Sequence, residues 1–415
     1  MNKKLIFACA IGSALEWFDY ALYGTFAATL AKLFFPPSGS SSLMWTYLIF
    51  AFGFFSRPLG GIIFGHIGDK VSRKTALIIS ILTMAFPTFA TGLLPTFQTI
   101  GIWAPILLAV IRLLQGIAIG GEFTGAMVYL VENSPAEKRG FFGCWSDFGS
   151  PFGVALGLLV SGILTSCLSV EDFESFGWRI PFLFGIVISL FGAYLRYGIA
   201  DDEESSPKST KDACLPIVET VKRYKKTITY IVFINAFGGS LFYMLVTYLH
   251  NYFKVFQMTT TKQALLVTSI VNAFITLAVP LGGILSDKFG RKKVMIICVV
   301  ITLLCVYPAF YTLNVGLLYI HLFFEIVFGI CLGVFWGGRA AFYTETFPYR
   351  LRCTAVAFAF GISHSVFAGT TPLVAEFLIE HTGSCYSLGC LIALFAILAL
   401  YSLHKLEDRT AKNLT

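Results

Sequence analysis

Charged side chains are scarce in this chain: Asp, Glu, Lys and Arg make up 13% of its 415 residues, and only 6 histidines add to them. A soluble domain carries about twice that share of charge, so the composition excludes an ordinary water-soluble enzyme or binding module. Several catalytic patterns are missing too. No glycine-rich phosphate loop ends in Lys and Ser/Thr, and neither His-Glu-x-x-His nor Gly-x-Ser-x-Gly occurs. The nucleotide cradle, the zinc-peptidase helix and the nucleophile elbow are therefore absent, and neither an enzyme nor ATP as an energy source is expected. The 10 cysteines contain no Cys-x-x-Cys pair and mostly interrupt apolar stretches, where they read as small apolar filler and not as metal ligands.

Apolar material is what the chain has instead: 56% hydrophobic residues, 16% aromatics and a mean hydropathy of +0.77. It falls into continuous runs near 5–31, 43–65, 75–95, 103–131, 141–166, 178–199, 227–256, 263–286, 292–313, 316–346, 353–380 and 385–404. About 20 residues span the roughly 30 Å of bilayer hydrocarbon, and the runs lack the alternation of barrel strands. The expected fold class is an all-α integral membrane protein with 12 transmembrane helices. Met1 to Lys4 is basic and precedes an apolar stretch, as in a secretory signal, but that stretch is long and carries Glu16 and Asp19. It is expected to remain as the first span.

Most Lys and Arg residues fall at the N-terminus, in alternate loops and in the C-terminal tail, whereas residues 167–178 hold Glu171, Asp172 and Glu174 without a base. The positive-inside rule then predicts a multi-pass protein with both termini cytoplasmic. The net charge of +7 is a topology signal, and no nucleic-acid partner is needed to explain it.

The chain also repeats itself. Gly65, Asp69, Lys70, Arg73 and Lys74 recur as Gly283, Asp287, Lys288, Arg291 and Lys292, and the pattern around Glu132, Pro135 and Arg139 recurs at Glu345, Pro348 and Arg352. Two spaced patterns in the same order mark a duplication. The halves are read as 1–199 and 227–415, the second with a short cytoplasmic tail, joined by a polar linker at 200–226 that suits the headgroup region.

These paired motifs resemble the signature of the major facilitator superfamily, which implies two six-helix halves. Within it the chain resembles the metabolite:proton symporters, most of all the proline/glycine-betaine transporters. The matching segments are Leu15 to Tyr20, Arg57 to Gly61, Gln115 to Gly125, Trp178 to Phe182 and Tyr243 to Tyr248. The resemblance implies a bacterial inner membrane, a monomer, no cofactor beyond the proton gradient, and small-molecule substrate, protons and lipid as partners. Ser72 stands where the superfamily has Gly, Gly361 where the resembling family has Asn, and no long coiled-coil tail follows the last span.

Ionised groups at mid-bilayer are expensive, so each marks a pair or a wet cavity. Glu16, Asp19, Tyr20 and Tyr23 share one helical stripe, and Arg112, Gln115 and Glu122 share another. The expectation is a hydrated chamber between the halves, in which Glu16, Asp19 or Glu122 carries the coupling proton. Arg112 there faces either the substrate carboxylate or the empty-site carboxylate. Tyr20, Tyr23, Arg112 and Gln115, with Tyr243, Thr247 and Ser363 from the second half, are the candidate substrate contacts. His250 and His364 lie near them, while Arg339 and Glu325 are intramembrane charges without an evident partner. Asp69, Arg73, Glu132 and Arg139, with Asp287, Arg291, Glu345 and Arg352, form a candidate cytoplasmic gate of ion pairs. Gly149, Gly153 and Gly157 offer a close helix contact.

The expected function is proton-coupled import, by alternating access, of a small polar metabolite: a zwitterionic osmolyte such as proline or betaine, or an organic acid. Its alternatives are a proton antiporter exporting a drug-like or siderophore-like compound, and a non-transporting sensor on the same fold.

Overall fold

The computed structural model describes residues 3–36, 42–197, 215–249, 252–253, 261–412 and 414. Among them no strand occurs. Inside a bilayer each backbone N–H and C=O needs a partner within the protein, and long continuous apolar runs satisfy this as helices.

Among the described residues, twelve long helices, some in two segments, follow in chain order. They are α1 (Lys3–Thr25, continued by Ala27–Phe34), α2 (Ser42–Phe55 and Arg57–Lys70), α3 (Arg73–Leu93), α4 (Trp103–Glu132), α5 (Arg139–Cys167) and α6 (Arg179–Tyr197). The second half has α7 (Pro216–Tyr243), α8 (Thr261–Phe289), α9 (Arg291–Asn314), α10 (Leu318–Thr346), α11 (Arg352–Ser363 and Thr371–Thr382) and α12 (Tyr386–Lys405). Among the described residues, 11 helices are long and apolar enough to cross a membrane; α1, with its two carboxylates, falls outside that set. Many large apolar side chains point outward, among them Phe86, Leu159, Leu277, Leu304 and Leu373, as a lipid-facing surface requires.

The end of the polar linker is helical. α7 starts at Pro216, bends where Tyr224 leaves helical φ/ψ, and carries Glu219, which pairs with Arg223 at 3.2 Å and with Arg350. Residues 200–214 of that linker, with 198–199 before it, lie outside the described residues.

The two six-helix lobes meet where α5 packs on α8 and α10, and where α2 packs on α11. Repeated glycines set the approach. A Cβ at Gly65 would stand 2.6 Å from Thr354 Cα, and one at Gly283 would stand 3.0 Å from Phe141 Cα, so each repeat lays its backbone on the opposite lobe. Gly149, Gly153 and Gly157 instead serve the α1–α5 contact within one lobe, against Ala10, Ala14 and Ala21. Ser72 takes an extended φ of −165° as N-cap of α3 and accepts a hydrogen bond from Thr75 N–H, so no glycine is required there. Its repeat partner Gly290 has φ +98°, a left-handed conformation that favours glycine.

Candidate transport site

The centre of the lobe interface is polar but closed: Glu16, Asp19, Arg57 and Arg112 are all 1% exposed or less. α1 and α4 bring Asp19 to Arg112, whose Nη1 donates to Oδ2 at 2.8 Å. Gln115, one helical turn along α4, donates from Nε2 to Asp19 Oδ1 at 3.1 Å and to Thr88 Oγ1 at 3.0 Å. The Tyr23 ring lies 3.9 Å under the Arg112 guanidinium while its hydroxyl donates to Thr46 O at 3.1 Å. Asp19 therefore has both oxygens engaged and a fixed cation beside it.

Arg57 is held differently. It opens the second segment of α2, and its Nη2 lies 3.8 Å from Glu16 Oε1, too long for a hydrogen bond. The guanidinium carbon lies 4.6 Å from the Phe54 ring centre, 4.9 Å from Tyr20 and 5.7 Å from Trp17. None of its three nitrogens has a hydrogen-bond partner, nor do Glu16 Oε2, the Tyr20 and Tyr243 hydroxyls, or Trp17 Nε1 and Trp336 Nε1. Buried polar groups are normally paired. These unpaired polar atoms belong to an aromatic sheath around the two charges.

The sheath joins the lobes. Trp17 of α1 meets Phe242 and Tyr243 of α7 at ring distances of 5.5 and 6.3 Å, and Phe54 meets Tyr243 at 5.7 Å. The expected hydrated chamber is thus corrected to a packed, occluded seam, because aromatic side chains from both lobes fill the space between the charges.

At the face that carries the repeated motifs, two ion-pair clusters close the interface. Asp69 pairs with Arg73 at 2.5 Å and accepts the Cys353 and Thr354 N–H groups of α11 at 3.0 and 2.9 Å. Arg73 also donates to Glu132, which Arg352 of the other lobe reaches at 2.7 Å. The repeat builds the mirror version. Asp287 pairs with Arg291 and accepts the Gly140 and Phe141 N–H groups of α5, each at 2.8 Å. Glu345 takes Arg291 at 3.4 Å and Arg139 at 3.7 Å. Each Asp thus caps the first turn of a helix in the other lobe, where orphan N–H groups and the helix dipole favour an anion.

Comparison with known proteins follows the same lines. The family described as "Sugar (and other) transporter" matches residues 5–201, and that described as "Major Facilitator Superfamily" matches residues 259–414. The proline/betaine transporter of Escherichia coli K12 is 35% identical over 91% of this chain and 78% of its own length. The chain belongs to the major facilitator superfamily, in the family of the proline/betaine transporters. Further relatives of this transporter are a glycine betaine/proline/ectoine/pipecolic acid transporter of Dickeya dadantii and a putative proline/betaine transporter of Staphylococcus aureus. They are 33% and 37% identical over 96% and 92% of the chain and cover 82% and 83% of the relatives. Among solved structures, the proton:xylose symporter XylE bound to a bromo-glucose superposes with a TM-score of 0.83 at 18% identity, covering 99% of this chain and 97% of that one. The inward open conformation of XylE from E. coli scores 0.66 at 18% identity, over 97% and 96%. The facilitator fold and a role as a multi-pass membrane transporter follow.

Within this transporter the candidate residues separate. Glu16, Asp19, Tyr20, Tyr23, Arg112, Gln115 and Tyr243 gather at the central seam, and the eight gate residues gather in the two clusters. Glu122 does not join Asp19. It is held by Arg196 at 2.5 and 2.9 Å and by Ser80 at 2.7 Å. It shares a stripe with Arg112 but lies ten residues farther along α4, about 15 Å. Ser363 donates to Val232 O on α7 at 3.0 Å and is helix–helix glue instead of a free contact. Thr247 is half-buried in the turn that ends α7, and His250 lies outside the described residues.

The sequence reading passed over Arg57, Arg196, Asp147 and Asn235. Arg57 and Asp147 both lie inside apolar runs, so the intramembrane-charge argument that found Asp19 would have found them. Arg339, left without a partner, pairs with Asp147 from the other lobe, and Glu325 pairs with His321 at 3.3 Å. Residues so distant in sequence carry no local signal of contact.

Proposed function

We propose that the chain is a secondary active transporter that imports a small zwitterion together with protons, by alternating access between its two lobes. The observation that carries this reading is the Arg57–Glu16 pair, 3.8 Å apart and too long for a hydrogen bond, among Trp17, Tyr20, Phe54 and Tyr243. A substrate carboxylate satisfies the Arg57 nitrogens, and the cationic nitrogen of the same molecule meets Glu16 and the ring faces. The names of the relatives, which include glycine betaine and proline, agree with that chemistry. A dicarboxylic organic acid would leave Glu16 facing a second anion.

Asp19 is the proton-coupling carboxylate in this reading. Arg112 and Gln115 donate to its two oxygens, and a proton on that carboxylate would release Arg112 and let the site rearrange. The motif face is assigned to the cytoplasm because it carries the basic loops and the tail, and the membrane to the bacterial inner one, as in the relatives' hosts. The closed clusters there support an occluded state shut toward the cytoplasm, which the weaker likeness to the inward open structure also supports.

Purified protein in liposomes, with radiolabelled glycine betaine outside, is the test. An acidic exterior is expected to drive accumulation above equilibrium, with protons entering alongside substrate. Proton exit during uptake makes the protein an exporter by antiport. No accumulation of betaine, proline or an organic acid under any gradient removes the transport reading.

A further inference from the structure

A second buried ion pair crosses the lobe interface between the central site and the motif face. Asp147 lies two helical turns into α5, is fully buried, and pairs with Arg339 of α10, itself 2% exposed. Arg339 donates from Nη1 to Asn235 Oδ1 on α7 at 2.9 Å, and Asn235 Nδ2 lies 3.0 Å from His364 Nδ1 on α11. The guanidinium is stacked 4.8 Å over Trp336 and 5.3 Å over Phe360, and lies 5.7 Å from Phe123 of the first lobe. Three lobe-two helices thus hold one cation against one carboxylate of lobe one.

The pair is not saturated. Asp147 Oδ2, Arg339 Nε and the Tyr343 hydroxyl are buried without hydrogen-bond partners. A static packing bridge gains from closing every such group, because a half-satisfied buried network is costly. The free oxygen leaves Asp147 a place to carry a proton.

Geometry ties this pair to the transport cycle. α5 packs against α8 and α10, so the motif face cannot open without α5 moving from α10. Pulling Asp147 from Arg339 leaves two uncompensated charges in a low-dielectric seam, the costly way to break a buried pair. A neutral Asp147 removes the attraction. We propose that Asp147 is a second proton-exchange carboxylate of this transporter and that its protonation unlocks the Arg339 bridge so that the lobes part on the motif face. The step is a single proton transfer: the carboxylate takes a proton from water admitted on the acidic side, forming one O–H bond. It returns that proton to water after the lobes have parted.

The groups facing Asp147 are compatible with this. Arg339 and Tyr343 approach from α10, with His364 behind Arg339. Cys144 lies one turn earlier on α5, and Asp287 of α8 holds that helix's first turn. α1 presents Ser13 near Gly149, and α4 presents Phe123.

The proposal rests on proton-coupled transport, and wild-type accumulation under a pH gradient is the control that tests that reading alone. Purified Asp147→Asn in liposomes is measured for radiolabelled betaine accumulation with an acidic exterior and for betaine exchange without any gradient. Accumulation is expected to fall at least tenfold while exchange falls threefold or less, and Asp147→Glu is expected to restore accumulation. Wild-type accumulation by Asp147→Asn overturns the proposal. If the orphaned Arg339 cation disables Asp147→Asn altogether, the double variant Asp147→Asn, Arg339→Gln decides. Recovered exchange without accumulation supports the proposal; recovered accumulation, or a folded double variant with neither activity, overturns it.

Discussion

Asp69 of the first lobe accepts a hydrogen bond from the Thr354 N–H of the second at 2.9 Å, across 285 residues of sequence. The same carboxylate accepts the Cys353 N–H and pairs with Arg73. One side chain therefore caps α11, anchors α3 and joins the lobes, and Asp287 repeats the arrangement on α5. Closing this face consists of delivering an anion to a helix terminus, a contact worth about 0.5–2 kcal/mol in helix-capping series.

Loss of that cap is expected to open the motif face. In Asp69→Ala, a loss of about 1–2 kcal/mol corresponds to a roughly 5- to 30-fold larger open population. Cys353 lies buried under this contact, so its labelling by a maleimide applied from the motif face should accelerate by that factor. An unchanged labelling rate argues against the gate.

Gly65→Ala is expected to give the same signature by a steric route. The added methyl would meet Thr354 Cα at 2.6 Å, a backbone atom that cannot swing aside. The closed interface should therefore not form, because the clash lies between the lobes and not within one. Normal Cys353 protection in this variant rules out the close approach of α2 and α11.

Arg57→Gln is expected to weaken zwitterion binding. A charge-assisted hydrogen bond to a carboxylate contributes about 1.5–3 kcal/mol, a roughly 10- to 100-fold loss of affinity. Scintillation proximity binding of betaine reads this directly, and it is measured on protein whose unfolding midpoint is checked alongside, because the variant takes the buried cation away from Glu16. Retained affinity moves the carboxylate site elsewhere.

Asp19→Asn is expected to separate coupling from translocation. Arg112 and Gln115 keep neutral partners, so exchange should persist at reduced rate while accumulation under an acidic exterior is lost. Wild-type accumulation excludes Asp19 as the proton carrier.

Glu122→Gln should act on stability. Glu122 neutralises Arg196 inside the first lobe and accepts from Ser80, and breaking such a buried pair costs about 3–5 kcal/mol. A lowered unfolding midpoint, with coupling intact in the protein that folds, is the expected outcome. A stable but uncoupled variant would return Glu122 to the proton pathway.

Much of this protein was legible in its residue order. Continuous apolar runs of bilayer length determine helices, because a backbone in hydrocarbon is satisfied only in a helix or a closed barrel and these runs lack a barrel's alternation. The repeated Gly-x-x-x-Asp-Lys pattern marks two lobes, and the cost of burying Glu16, Asp19 and Arg112 marks the seam. Helical periodicity also put Glu122 on Arg112's face, correctly, yet a stripe says nothing about depth or neighbours. Which anion meets which cation was settled only by packing. Arg196 reaches Glu122 because α6 lies against α3 and α1; Arg339 reaches Asp147 because α10 crosses α5; Arg57 meets Glu16 only at 3.8 Å because its guanidinium lies among the Trp17, Tyr20 and Phe54 rings. Periodicity is a property of one helix, whereas an ion pair is a property of two, and the second is decided by how lobes close around each other.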